Sequence, residues 1–459
     1  MHRDGSSAPS GSPTVSGRSH VRWFLIFWLF VVSGVAFLDR VNISIAGSSI
    51  ASDYHLTNVE LGWVFSAFLA GYALCQTLGG RLADRFGPRR VLAAGAIWWG
   101  VFTALTAAVP EGIRGALFVL VAIRFLFGAG EAVIYPASNQ FVSRWIPSEE
   151  RGIANGLIFA GVGAGAGLSP PLITFIMLRY GWRASFFVCA VIGLVVGLVW
   201  FLAARDTPAR HSRVSASERE LIRAGLAGKS SAGGERPLIP WKIVVKSKTV
   251  RAVTLSYFTF GYVAWIFFSW FYTYLAQVRG LNLKASAFYA MLPFLAMAVC
   301  CAVGGIVSDR LTRSYGPRVG RCYLASLAIA LAGVFLAFGA EVDSARLASV
   351  VLAGGAGALY LAQSSFWSVT ADLAGTSSGS VSGFMNMGAQ AGGWFTAWLT
   401  PLIARHFGWT ASFLVAAALC LLGAVAWLLV DPSRALEPMA ETESPRSMAA
   451  GVPLSSVSK

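Results

Sequence analysis

Apolar residues in this chain run in long unbroken blocks, without the alternation of a half-buried strand or the polar face of a surface helix. Residues 23–38, WFLIFWLFVVSGVAFL, contain no charge at all. Blocks of about 20 residues, the length an α-helix needs to cross the apolar core of a bilayer, recur twelve times. They are expected at about 22–48, 59–80, 90–109, 116–141, 152–177, 184–203, 252–276, 286–307, 320–339, 347–370, 379–404 and 410–430. Glycines inside these blocks suit helices that approach closely in lipid. The longest polar interruption, 204–251, separates the blocks six and six, with a short amphipathic helix expected around Ser217–Leu226. The pattern predicts an all-α membrane protein with disordered cytoplasmic tails at 1–21 and 432–459, six-helix units at 22–203 and 252–431, and a cytoplasmic linker at 204–251.

Composition agrees with the pattern. The 459 residues are 56% hydrophobic and 12% charged, against about 25% charged in an ordinary soluble domain. Residues 1–20 are rich in Ser, Gly and Pro, and the apolar run after them exceeds signal-peptide length without a small-residue cleavage site, so it is read as a retained first helix. The six cysteines lack the spacing of a disulfide framework or a zinc site. No resident metal or cofactor is expected.

The net charge of +15 is explained by where its 36 lysines and arginines lie. With both termini on the cytoplasmic side, the opposite face holds only Arg114, Arg179, Arg183, Arg279, Lys284, Arg346 and Arg405, and Arg40 and Arg124 fall inside spans. All the others lie in cytoplasmic segments. This is the positive-inside asymmetry of a multi-pass membrane protein, and it removes nucleic acid as an expected partner.

The halves repeat one another. Gly79–Arg90 reads GGRLADRFGPRR and Gly304–Arg321 reads GGIVSDRLTRSYGPRVGR; each has Gly-Gly, three residues, Asp-Arg, then Gly-Pro-Arg. Internal repeats of this kind are expected of secondary transporters that bind substrate between their halves. In this context the first copy resembles the loop between helices 2 and 3 of the major facilitator superfamily, through Gly80, Asp84, Arg85, Gly87, Arg89 and Arg90. The expected role is a charge latch: Asp84 pairs with an arginine or a helix end on a neighbouring helix, and Gly80 allows close approach. Asp309 and Arg310 are the corresponding pair in the second copy. A narrower resemblance, to the anion:cation symporter family, is carried by FLDRVNISIA, GYALCQTLGGRLADRFG, RFLFGAGEAVIYPA and GSVSGFMNMGAQAGG, and covers nearly the whole chain outside its tails. It implies the twelve-helix major facilitator fold in two bundles and transport of sugar acids or related organic anions driven by a proton gradient.

Four ionisable residues fall within the membrane in the first half: Asp39, Arg40, Arg124 and Glu131. Charges there are costly and default to a functional reading. Neighbours on a helix do not face each other, so Asp39 and Arg40 need different partners, whereas Arg124 and Glu131 share a helix face. Two acids and two bases balance. Burial favours the neutral form of a carboxylate and an adjacent arginine favours the charged form, so protonation can follow water access. With the family resemblance, these arguments make Arg40 the ligand of the substrate carboxylate, Glu131 and Asp39 the proton carriers, and Arg124 the residue that orients Glu131 or itself binds the anion.

Tyr72 and Gln76, four apart on helix 2, share a face that can bond hydroxyls. Asn386 and Gln390 repeat the spacing on helix 11, where the resemblance favours Asn386. Ser364 and Trp367 on helix 10 suit one hydroxyl contact and one apolar wall; Tyr257 and Tyr272 complete the expected substrate-binding set. The leading function is proton-coupled symport of a small organic anion (a hexuronate, aldonate, aldarate or related carboxylate) by a monomer in the bacterial inner membrane. The alternative is a drug or metabolite efflux antiporter on the same fold. That class often ends a glycine-rich helix 5 in Gly-Pro; here Gly167 is followed by Leu168. An enzyme is not expected, since the phosphate-loop pattern and a metal-ligand cluster are absent.

Overall fold

The computed structural model describes residues 19–227, 238–271, 274–281, 283–433 and 435–436. Among them ten helical stretches are long and apolar enough to cross a membrane, and two of these, Ser148–Ala203 and Ala345–Ala397, hold two crossings each. The first half comprises α1 (Val21–Asp53), α2 (Asn58–Phe86), α3 (Pro88–Ala108), α4 (Ala116–Glu131), α5 (Ile134–Trp145) and the long α6 (Arg151–Ala203). The short α7 (Ala216–Ala227) and α8 (Trp241–Lys246) follow. The second half comprises α9 (Lys248–Ser269), α10 (Leu283–Tyr315), α11 (Leu324–Glu341), α12 (Ala345–Leu361), α13 (Gln363–Ala374) and α14 (Ser378–Leu428).

Both α6 and α14 turn back on themselves at one glycine, Gly181 (φ 81°, ψ 167°) and Gly408 (φ 85°, ψ 163°). A side chain is disfavoured at such a positive φ. The flanking sequences, YGWRASF at 180–186 and FGWTASF at 407–413, form a second internal repeat. The fourth crossing breaks between α4 and α5, directly after Glu131. Pro136, which lacks an N–H, leaves the Ala132 carbonyl without its helical donor there. The tenth breaks at the corresponding place, Ala362, between α12 and α13. The seventh crossing is irregular towards its end: α9 stops at Ser269, and a π-helical turn occupies Tyr274–Val278.

Small residues set the helix spacing. A Cβ at Gly161 would meet the Phe30 carbonyl and, at 2.8 Å, Ser33 Cβ on α1; one at Gly165 would meet the backbone of Gly34. Between the halves the same close approach joins α6 to α10, where a Cβ at Gly156 would lie 2.6 Å from the Cys301 carbonyl, and α2 to α14, where a Cβ at Gly383 would lie 2.6 Å from that of Gln76.

The helix expected near Ser217–Leu226 is α7, and it is anchored. Buried Glu218 accepts from the backbone N–H groups of Val21 at 3.2 Å and Arg22 at 3.1 Å, capping α1. Beside it His211 is enclosed by the Trp145 ring and the Ala203 carbonyl, and burial pushes its pKa below the usual histidine value. Most of the expected tails, 1–18 and 437–459, and the linker stretch 228–237 lie outside the described residues.

The α1–α6 spacing gives a direct test. Gly161→Val and Gly165→Val should each destabilise by about 1–3 kcal/mol, the usual cost of overpacking. Gly167→Val, whose Cβ would meet nothing within 4 Å, should stay close to the parent. Thermal unfolding of the detergent-purified variants reads the difference; equal melting temperatures for all three would contradict it.

Candidate functional site

Midway along α1, Asp39 and Arg40 point to different surroundings. The Arg40 Nε donates to Glu131 Oε1 at 2.7 Å, and its guanidinium lies 4.5 Å from the centre of the Tyr72 ring, 4.8 Å from Phe37 and 5.2 Å from Phe68. Such faces attract a cation. The Arg40 Nη2 and Glu131 Oε2 atoms are buried without a hydrogen-bond partner.

Glu131 therefore pairs with the arginine of α1, although Arg124 shares its own helix. α4 ends at Glu131, and the break after it lets the carboxylate reach across. Arg124 forms no ion pair among the described residues; it sits 4.4 Å from the Phe127 ring centre and 5.2 Å from Phe68, with Nε unpartnered. Both oxygens of Asp39 are likewise buried without a partner.

Arg40 and Arg124 line a cavity of about 660 Å³ between the halves, while Asp39 and Glu131 stand behind its wall. Ligand sites commonly measure about 300–1,000 Å³. At its floor, Asn386 Nδ2 donates to Gln76 Oε1 at 2.9 Å, bridging α14 and α2. Gln76 is fully buried, and Tyr72 beside it lines the wall.

Across the floor, the Tyr257 hydroxyl accepts from Gln363 Nε2 at 2.9 Å and from Trp367 Nε1 at 3.0 Å. Trp367 packs on Phe159 and lies below the cavity; Ser364 is buried with its hydroxyl unpartnered. Gln390 lines the cavity directly, and Tyr272 is outside the described residues. Sequence reasoning missed Gln363, adjacent to Ser364 on α13, and Tyr135, four residues beyond Glu131; both are wall residues whose helical spacing from the chosen positions was available as a signal.

The glycine–aspartate repeats close the arginine-rich end. Both kinds of partner expected for Asp84 are beside it: its carboxylate accepts from the N–H groups of Gly379 at 2.9 Å and Ser380 at 2.8 Å, and from the Ser380 hydroxyl, capping α14, and Arg144 of α5 donates to the Asp84 backbone carbonyl at 3.4 Å. A Cβ at Gly80 would meet the Gly379 carbonyl. In the second half, Asp309 caps α6 through the N–H groups of Gly152 at 2.9 Å and Ile153 at 2.7 Å. Carboxylates at helix N-termini are favoured by the helix dipole and the unsatisfied N–H groups.

Around Asp309 runs a buried network that sequence reasoning missed. Arg321 binds Asp309 at 2.8 Å and Arg151 binds Asp372 at 2.6 Å. The other motif residues do not converge on either aspartate. Gly87 turns the chain at φ 88°, the Arg89 N–H donates to Asp206 at 3.0 Å, and Arg85, Arg90 and Arg310 are exposed.

The sequence model of the Major Facilitator Superfamily matches residues 29–397. A protein described as a probable sulfoacetate transporter, from Cupriavidus necator, is 33% identical over 400 residues, 87% of this chain and 91% of that one. The hexuronate transporter of Bacillus subtilis is 29% identical over 430 residues, covering 92% and 98%. Among solved structures, a proton:xylose symporter bound to 6-bromo-6-deoxy-D-glucose has the same fold, with a TM-score of 0.71 at 16% identity over 90% of this chain and 97% of that one.

Asp84→Ala leaves two buried N–H donors of α14 without their acceptor, and loss of such a cap costs about 0.5–2 kcal/mol. The variant should melt lower than the parent. It should also slow crosslinking of cysteines placed at Thr77 and Met387, whose side chains touch across the halves at 3.8 Å, with the native cysteines replaced. Unchanged melting and crosslinking would show that Asp84 does not hold this end together.

Proposed function

The chain belongs to the Major Facilitator Superfamily of membrane transporters, and from that premise we propose that it couples the movement of a small organic anion to that of a proton. The observation that carries this reading is the Arg40–Glu131 pair at the cavity wall, with Arg124, which forms no ion pair among the described residues, beside it. The relatives named above are described as transporters of sulfoacetate and hexuronate, both small organic anions.

With all four central groups ionised the site is neutral. An arriving carboxylate engages Arg124 and the free Nη2 of Arg40 in charge-assisted hydrogen bonds and competes with Glu131 for Arg40. Breaking a buried ion pair by removing one partner costs about 3–5 kcal/mol. A proton taken up by Glu131 removes that penalty and restores neutrality, so anion and proton enter together. Asp39, screened from the cavity, is the second proton site. No cofactor takes part; the proton gradient supplies the drive.

We place both termini and the arginine-rich end in the cytoplasm of a bacterial cell, with the protein a monomer in the inner membrane. The contacts of Asp84 and Asp309 then latch the cytoplasmic end. The cavity, whose rim residues Ser44, Pro170 and Ser269 are exposed, faces outward. Alternating access requires both aspartates to release their helix ends.

In proteoliposomes Glu131→Gln should abolish accumulation driven by an inward proton gradient while exchange of unlabelled for labelled anion persists. Accumulation at the parental rate would remove Glu131 from the coupling. Arg124→Ala should weaken anion binding about 10- to 100-fold, the equivalent of one charge-assisted hydrogen bond, as read by calorimetric titration; parental affinity would exclude Arg124 from the site.

A further inference from the structure

The cavity divides chemically along the line between the halves. Its cations both come from the first half, and Arg40 and Arg124 each lie 5.2 Å from the centre of the same ring, Phe68. Among the described residues the second half contributes no charged side chain to the cavity. What it contributes is a continuous aromatic wall. The Phe268 ring lies 5.0 Å from Phe294, 5.7 Å from Trp265 and, across the halves, 5.9 Å from Phe37. Phe260 extends the surface towards the floor.

The polar groups of the cavity are largely taken. The Tyr257 hydroxyl is held by Gln363 and Trp367, the Tyr135 hydroxyl faces Ser33 at 3.4 Å, the Tyr72 hydroxyl faces Arg40 and Gln76, and the Asn386 amide nitrogen is spent on Gln76. Ser44 and Ser269 stand at the exposed rim. A six-carbon sugar acid carries about four or five hydroxyls, and each one buried without a partner costs its desolvation. Gln390, the Asn386 carbonyl and the Tyr360 hydroxyl cannot serve that many. An apolar, flat body instead gains from the wall, since aromatic rings pair edge-to-face or offset with one another.

We propose that the site selects carboxylates with an aromatic or otherwise apolar body over polyhydroxylated acids, the carboxylate lying at Arg40 and Arg124 and the body against Trp265, Phe268 and Phe294. This rests on the organic-anion reading of the same site and narrows it. The division of labour is between halves: the first recognises charge and the second recognises shape.

The test is calorimetric titration of the purified full-length protein with benzoate, phenylacetate, glucuronate, galactarate, sulfoacetate and the neutral benzyl alcohol. Benzoate or phenylacetate is expected to bind at least about tenfold tighter than the other acids, and Phe268→Ala to reduce that preference. Equal or tighter binding of glucuronate, galactarate or sulfoacetate would overturn this proposal while leaving the organic-anion reading standing. Binding of none of the acids, or binding of benzyl alcohol as tight as that of benzoate, would remove the organic-anion reading as well.

Discussion

A guanidinium inside a bilayer must find a counter-charge or an anionic ligand, and the centre of this protein is organised by that requirement. Arg40 meets it through Glu131 at 2.7 Å, which ties α1 to α4 at the point where α4 breaks. Among the described residues Arg124 forms no ion pair, and it faces the cavity instead. The two arginines thus differ in state although they share one ring as a platform. An anion entering the cavity would complete the coordination of one and compete for the other, and that competition is what links substrate to proton in the proposed cycle.

Away from the centre, the same economy of charge appears at the arginine-rich end. Asp84 and Asp309 cap helices of the opposite half, so each half holds the other by a carboxylate on a helix N-terminus. Glycines at Gly80 and Gly305 bring the backbones near enough for those bonds to form. The contacts are short, polar and few, and they can be exchanged as a unit because releasing the carboxylate leaves N–H groups that water can satisfy. Breaks in the helical ladder at Ala132–Val133 and Ala362 place the floor of the cavity just above this closed end.

Much of the architecture was legible along the chain. Unbroken apolar blocks marked the crossings, and the Gly-Gly-Asp-Arg repeat marked both aspartates that cap a helix. The four central charges were equally plain, because a charge in an apolar run is costly and stands out. Pairing was harder to read. Glu131 belongs to Arg40 because of a helix break that spacing on one helix does not reveal. The Asn386–Gln76 and Arg151–Asp372 contacts join residues hundreds of positions apart, and their partners depend on helix rotation. The seventh crossing loses regular α-helix at Ser269 although its apolar run continues, since hydropathy measures affinity for lipid and not helical regularity. The turns at Gly181 and Gly408 fall in the gaps expected between blocks, at 178–183 and 405–409, but the repeat of their Gly-Trp sequences was not read as a signal.

The central claim is that a carboxylate binds between Arg40 and Arg124 and displaces Glu131. A structure of the protein with 4-bromobenzoate tests it most directly, the bromine marking the body of the ligand. The account predicts the carboxylate in contact with both guanidiniums, the Arg40–Glu131 distance lengthened beyond 2.7 Å, and the bromine against the wall of Trp265, Phe268 and Phe294. A ligand bound away from both arginines, with the Arg40–Glu131 pair intact, would contradict it.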